Sequence, residues 1–254
     1  MGKLDFAGSD RGWDGRVGDG AACGHGASRL HAAAMLPALA HIDAWIFDLD
    51  NTLYPASANL FEHIDRRMTQ FVGDLLGVDP AEAFRVQKEY FHAHGTTLAG
   101  LMAEHDVDPA AFLAYVHDIE MDVLEADAPL AAALAKLPGR KLVFTNGDKP
   151  YALKVLDRLG LGAHFEAVHD ITAMGLVPKP QPSAYAGLCA AFDIDPTRAI
   201  FFEDMARNLI PAKAIGMTTV WVDNGSEQGP EGARDHIDYT VHALTPWLTS
   251  ILEE

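Results

Sequence analysis

Apolar positions follow two different patterns along this chain. Phe61, Ile64, Met68, Phe71 and Leu75 recur at intervals of three, four, three and four, which sets them on one face of an amphipathic helix. Further helices are predicted over Pro80–Phe91, Leu98–Glu104 and Pro109–His117, with breaks at Gly95 and at Val107–Asp108. Outside this block the pattern changes to short, mainly apolar runs: Ile42–Phe47 before it, then Leu142–Thr145, Ala167–Val168, Ala199–Glu203, Thr218–Val222 and Tyr239–Val241 after it. Runs of that length without polar alternation suit strands buried on both faces.

Helical segments separate the later runs. They are predicted over Leu130–Leu137, Pro150–Leu159, Pro182–Phe192 and Met205–Ile215, the second and fourth stopped by Gly160 and Gly216, with a last helix carrying Leu244, Trp247, Leu248 and Ile251. Strict alternation of strand and helix implies a parallel sheet with helices on both faces. The expected fold is therefore α/β, a doubly wound parallel-sheet core of Rossmann type with an inserted all-helical cap. Residues 35–56 and 129–254 would form the core and 57–128 the cap.

Composition changes this picture in three places. Residues 1–34 hold eight of the 22 glycines and no sustained apolar period, too little apolar surface to offset the entropy of ordering them. They are expected to be a disordered N-terminal extension. A net charge of −17 argues against a nucleic-acid polymer as partner, since no basic cluster is present to neutralise its phosphates. It leaves room for a small phosphate ester, because one cation and one lysine can reverse the local potential. No apolar run approaches the roughly 20 residues needed to span a bilayer, and the two cysteines, Cys23 and Cys189, make no disulfide framework, which fits a reducing cytoplasm.

Candidate chemistry collects at the ends of the predicted strands. Asp48 and Asp50 leave the first strand together, at the edge where open parallel sheets bind ligands. One carboxylate there can attack as a nucleophile and the other can shuttle a proton, although a lone Asp-x-Asp also ends many strands as a solvated turn. Thr145 and Asn146 follow the second strand, where a hydroxyl and amide donors can hold phosphoryl oxygens, or simply make a turn. Lys179 lies between Pro178 and Pro180, which restrict its backbone. Glu203 and Asp204 end the strand Ala199–Glu203, and Asn208 follows one helical turn later. Hard divalent cations favour such oxygen donors.

An Asp-x-Asp, then a hydroxyl, a lysine and an acidic pair, in that order, resembles the haloacid dehalogenase superfamily over about residues 42–225. Asp48-Leu49-Asp50-Asn51-Thr52-Leu53-Tyr54-Pro55 and Gly95-Thr96-Thr97-Leu98-Ala99-Gly100-Leu101 are most similar to its pyrimidine 5'-nucleotidase branch. The resemblance implies that Asp48 is a nucleophile forming an aspartyl-phosphate and Asp50 the acid and base. It also implies that Thr145, Asn146 and Lys179 bind phosphate, and that Mg²⁺ is held by Asp48, the backbone carbonyl of Asp50, and Asp204. Glu203 would assist through water or as an orienting group, and Asn208 would orient the acidic pair or Lys179. Relatives that cleave carbon–halogen bonds lack an acid at the Asp50 position, so phosphoryl transfer is expected. Tyr90, His94, Gly95, Thr96 and Thr97 would select the substrate, unless that segment is only a helix–loop–helix corner.

The expected activity is thus a Mg²⁺-dependent phosphomonoesterase acting on a small phosphorylated metabolite, a pyrimidine nucleoside 5'-monophosphate. Phosphoglycolate or sugar-phosphate hydrolysis, or a phosphomutase, would use the same machinery. A non-catalytic binding domain would have lost Asp48, Lys179 or Asp204, and all three are present.

Overall fold

The computed structural model describes residues 37–227 and 232–253, all within one compact unit, Ala33–Glu254. The extension expected over residues 1–34 lies outside the described residues. Strands β1 (Ala44–Phe47), β2 (Arg140–Phe144), β3 (Ala167–His169), β4 (Ala199–Glu203), β5 (Thr218–Val222) and β6 (Tyr239–Val241) form one sheet in the order β3-β2-β1-β4-β5-β6. Every pairing is parallel. Helices α5 (Ala128–Lys136), α6 (Lys149–Arg158), α7 (Pro182–Phe192), α8 (Ala206–Ala214) and α9 (Leu244–Glu253) alternate with or follow the strands. This is the doubly wound α/β fold the sequence predicts.

β1 is the centre of the sheet because nothing in it tolerates water. All four of its residues are buried, and Phe47 stacks on Phe202 of β4 with ring centroids 4.6 Å apart. The Trp45 indole N–H, which would be costly to bury unpaired, donates to the Pro138 carbonyl at 2.8 Å. The order of strands reverses at β1, with β2 on one side and β4 on the other, and ligands bind beyond the carboxyl ends of strands at such a switch point. Phe47 pairs with Val143 and with Phe202, so the residues following β1, β2 and β4 emerge at one edge.

Helices α1 (Leu60–Leu76), α2 (Pro80–His94), α3 (Thr97–His105) and α4 (Pro109–Val116) follow β1. Asp79 caps α2 by accepting the Ala81 and Glu82 N–H groups, and Thr96 caps α3 by accepting the Ala99 N–H; such caps contribute about 1 kcal/mol each. The α1 face is the predicted one for Ile64, Met68 and Phe71, whereas Leu75 is exposed in the last turn and Leu76 packs there instead. α2 runs to His94, three residues beyond the predicted end, and stops at Gly95, whose φ of 88° suits glycine. Among the described residues, no helix is long and apolar enough to cross a membrane.

Candidate active site

The strand ends place their side chains as the parallel sheet dictates. Asp48 emerges one residue after β1, its N–H donating to the Phe202 carbonyl at 2.9 Å. Lys179 arrives from the loop before α7 and is 1% exposed. Its Nζ donates to Asp48 Oδ1 at 2.6 Å, to Glu203 Oε2 at 2.6 Å and to the Phe144 carbonyl at 2.8 Å. An ammonium has three protons, and each has an acceptor here. Burial works against that charge, but Asp48 and Glu203 outweigh it and raise the Lys179 pKa. The lysine therefore stays cationic.

One ammonium does not neutralise the carboxylates around it. Asp48, Glu203 and Asp204 are all buried and bring oxygens within 4.8 Å of one another. Burial, then repulsion from Glu203, pushes Asp48 up to about 8 despite Lys179. Burial and the same neighbour drive Asp204 well above the usual carboxylate range. Three hard oxygen donors with surplus negative charge fit a divalent cation such as Mg²⁺. Glu203 already accepts from Lys179 through Oε2 and from the Met205 N–H, at 3.2 Å, through Oε1, which suits it to orienting. Asp204 Oδ2 accepts the Ser226 hydroxyl at 2.6 Å.

Asp50 is set differently. Its Oδ1 accepts two phenols, Tyr54 at 2.6 Å and Tyr151 at 2.5 Å. Burial and the adjacent Asp50 carboxylate raise both tyrosines well above their ordinary value, so both hydroxyls stay protonated and donate. Tyr151 stacks on His117, centroids 4.3 Å apart and planes 12° from parallel, and His117 Nδ1 lies 2.9 Å from Asp148 Oδ1.

Other predicted site residues have partners that the sequence did not disclose. Thr145 is buried, and its hydroxyl accepts the Gly147 N–H at 2.9 Å. The Asn146 amide clamps the lysine loop: Oδ1 accepts the Lys179 N–H at 2.8 Å and Nδ2 donates to the Lys179 carbonyl at 3.1 Å. That amide is therefore occupied in positioning Lys179. Asn208 is buried beside the cavity, but its Oδ1 has no hydrogen-bond partner among the described residues. Its backbone carbonyl accepts the Tyr185 hydroxyl instead.

A cavity of about 160 Å³ joins these groups to the inserted helices. Gly95, Thr96 and Thr97 line it; Tyr90 and His94 do not. Tyr90 packs over Gly100, where any Cβ would fall 2.4 Å from the tyrosine's own, and pairs with His105 at 2.6 Å. His94 faces Glu104 at 4.0 Å. Successive helical residues differ by about 100° in direction, so Phe91, one place after Tyr90, reaches the cavity instead. Arg207, absent from the sequence-based set, rises from α8, stacks over Phe91 at 4.3 Å and donates to the Gly95 carbonyl at 3.2 Å. The 95–97 segment is thus a helix–loop–helix corner that also borders the cavity.

Known proteins resemble this chain in sequence and in fold. Glyceraldehyde 3-phosphate phosphatase from Methanopyrus kandleri is 29% identical over 213 residues, covering 76% of this chain and 89% of that protein. Phosphate metabolism protein 8 from Saccharomyces cerevisiae is 28% identical over 134 residues, 49% of this chain, and the match spans 42% of the yeast protein's length. Among solved structures, a HAD phosphatase from Thermococcus onnurineus superposes with a TM-score of 0.56 at 20% identity, covering 83% of this chain and 98% of the other, which shows the same fold. The sequence model of the haloacid dehalogenase-like hydrolases, a hydrolase family, matches residues 42–216. Because that match takes in the strand ends on both sides of the switch point and the helices inserted between them, the chain belongs to the haloacid dehalogenase-like hydrolases.

Proposed function

We propose that this hydrolase is a Mg²⁺-dependent phosphomonoesterase that works through an aspartyl-phosphate on Asp48 and takes pyrimidine nucleoside 5'-monophosphates. The observation that carries the chemistry is the buried Lys179 bridging Asp48 and Glu203, with Asp50 and Asp204 at the same sheet edge. The phosphatase name of the Methanopyrus relative supports the reaction class.

Asp48 attacks phosphorus and Asp50 protonates the departing oxygen, which splits hydrolysis into two easier displacements. Asp50 then takes a proton from the water that opens the aspartyl-phosphate. Lys179 holds the Asp48 carboxylate in place and neutralises part of its charge. Thr145 borders the cavity where phosphoryl oxygens would lie. Asp48, Asp204 and the Asp50 carbonyl would hold Mg²⁺, with Glu203 orienting Lys179. The bound cation supplies positive charge against the phosphoryl oxygens. Excess chelator is expected to abolish turnover, and adding Mg²⁺ to metal-free protein should raise its melting temperature, as any ligand of the folded state does. Full activity in chelator together with an unchanged melting curve would remove the metal from this reading.

The substrate assignment draws on the other half of the cavity. Phe61, Ile64, Met68, Phe91, Leu98 and Leu113 line it, apolar surface for a flat ring rather than for a short polar chain. Polar groups interrupt it where Asp65 accepts Gln87 Nε2 at 2.7 Å and Lys88 Nζ at 2.6 Å, offering donors and an acceptor to a base edge. UMP and CMP should be hydrolysed faster than AMP and GMP in a screen of phosphorylated metabolites. Thr97→Val should narrow that preference more than it slows an aryl phosphate. Thr96 is less informative, since its hydroxyl caps α3 and its loss would also cost about 1 kcal/mol of stability, whereas the Thr97 hydroxyl makes only a long bond of 3.4 Å to the Gln87 carbonyl. The name of the Methanopyrus relative favours a second reading, a triose phosphate. Preference for glyceraldehyde 3-phosphate in the same screen would select that reading and leave the chemistry intact.

A further inference from the structure

Two phenols donating to one oxygen of Asp50 have a geometric consequence. With Tyr54 and Tyr151 both on Oδ1, a proton carried by Asp50 is left to Oδ2, since a proton on Oδ1 would crowd against two donor hydroxyls. We infer that Tyr54 and Tyr151 are positioning residues for the acid of this reaction, and that His117, at the end of the inserted helices, holds Tyr151 in place. The inference rests on the phosphatase reading given above.

The contacts run in one line from the insert to the reacting centre. His117 follows α4, is 9% exposed and borders the cavity. Its ring lies flat on Tyr151, with Nδ1 2.9 Å from Asp148 Oδ1. Asp148 also caps α6 by accepting the Tyr151 N–H at 3.1 Å, so one carboxylate lies against both the His117 ring and the backbone of Tyr151. Tyr151 is 1% exposed and its hydroxyl has the Asp50 carboxylate as acceptor. The insert thereby reaches the acid through packed rings.

The proton inventory is simple. As the bond from Asp48 to phosphorus forms, the bond from phosphorus to the leaving oxygen breaks and its electron pair stays on that oxygen, which takes the Asp50 Oδ2 proton. Asp50 becomes a carboxylate; the tyrosines keep their protons and go on donating to Oδ1. Their contribution is orientation, so it scales with how much the leaving group needs a proton. A nitrophenolate leaves unaided, whereas an alkoxide does not.

The test is a leaving-group comparison on full-length protein with Mg²⁺, using 4-nitrophenyl phosphate, phenyl phosphate and an alkyl phosphate. Tyr151→Phe should lower kcat on the alkyl ester roughly 10- to 100-fold, part of the 10²- to 10⁴-fold of acid catalysis, and on the nitrophenyl ester by less than about 3-fold. Tyr54→Phe should show the same pattern independently. His117→Ala should reproduce it at smaller size, His117→Phe should restore most of the loss because the stack is kept, and His117→Ala should add little once Tyr151 is phenylalanine. Equal losses on all three esters, or full additivity of His117 and Tyr151, would overturn the inference. Wild-type protein that hydrolyses none of the esters, nor any phosphorylated metabolite, would instead overturn the phosphatase reading itself.

Discussion

Asp48→Asn is expected to stop turnover on every phosphate ester, by 10⁴-fold or more on the scale of removing a nucleophile from an enzyme with a covalent intermediate, where about 10⁶-fold is known, while the protein folds as before. An amide has nearly the shape of the carboxylate but no charge with which to attack phosphorus. The fold should tolerate the exchange because Asp48 is an uncomfortable anion: burial and Glu203 already push it up to about 8. Lys179 keeps Glu203 and the Phe144 carbonyl as acceptors, and the amide oxygen introduced by the substitution can accept the third proton. Steady-state rates with several esters, beside a melting curve, check both halves. Substantial residual activity in a folded variant would mean that another group, or water directly, attacks phosphorus. Asp50→Asn should differ in kind, with the deficit growing as the leaving group becomes more basic.

How much of this was readable in the sequence depends on how far each feature is fixed locally. Asp48, Glu203 and Asp204 are placed by strand ends, and a strand that must be buried on both faces announces its own end when acidic residues appear. The sheet then brings those ends together, since β1 pairs with β2 and β4 in register. Lys179 was also legible, through the prolines that flank it. Tyr151 was not. It lies 101 residues from Asp50 in a helix whose apolar face gives an ordinary reason for a tyrosine, and only the folded sheet shows that its hydroxyl has a carboxylate to meet. Arg207 and His117 were hidden in the same way. For Asn146 the sequence offers an amide after a strand, a ready phosphate donor; the partner that its side chain meets in the fold, the backbone of Lys179, is 33 residues away. Tyr90 and His94 lie off the cavity lining for an angular reason. The α2 helix runs three residues past its predicted end, and the close approach at Gly100 then decides which face meets the cavity.

Lys179→Met should have the largest effect on stability, a loss of about 3–5 kcal/mol, the usual cost of removing one partner from a buried ion pair. For a domain of this size each kcal/mol moves the melting temperature by roughly 2–4 °C, so the fall should be roughly 6–20 °C. Methionine nearly preserves the volume, so the deficit is electrostatic. Asp48, Glu203 and Asp204 would be left buried within one cluster with no ammonium, and the Phe144 carbonyl would lose a charged donor. The loss should shrink when the charge is removed from the other side. Lys179→Met with Glu203→Gln should melt higher than Lys179→Met alone, a coupling that independent sites do not show. Mg²⁺ should also recover more stability in the single variant than in wild type, because a divalent cation then supplies the positive charge that the lysine gave. Denaturant melts with and without Mg²⁺ measure all of this. A Lys179→Met protein as stable as wild type, with no coupling to Glu203, would show that the carboxylates are relieved by solvent or by proton uptake, and that Lys179 serves the reaction rather than the fold.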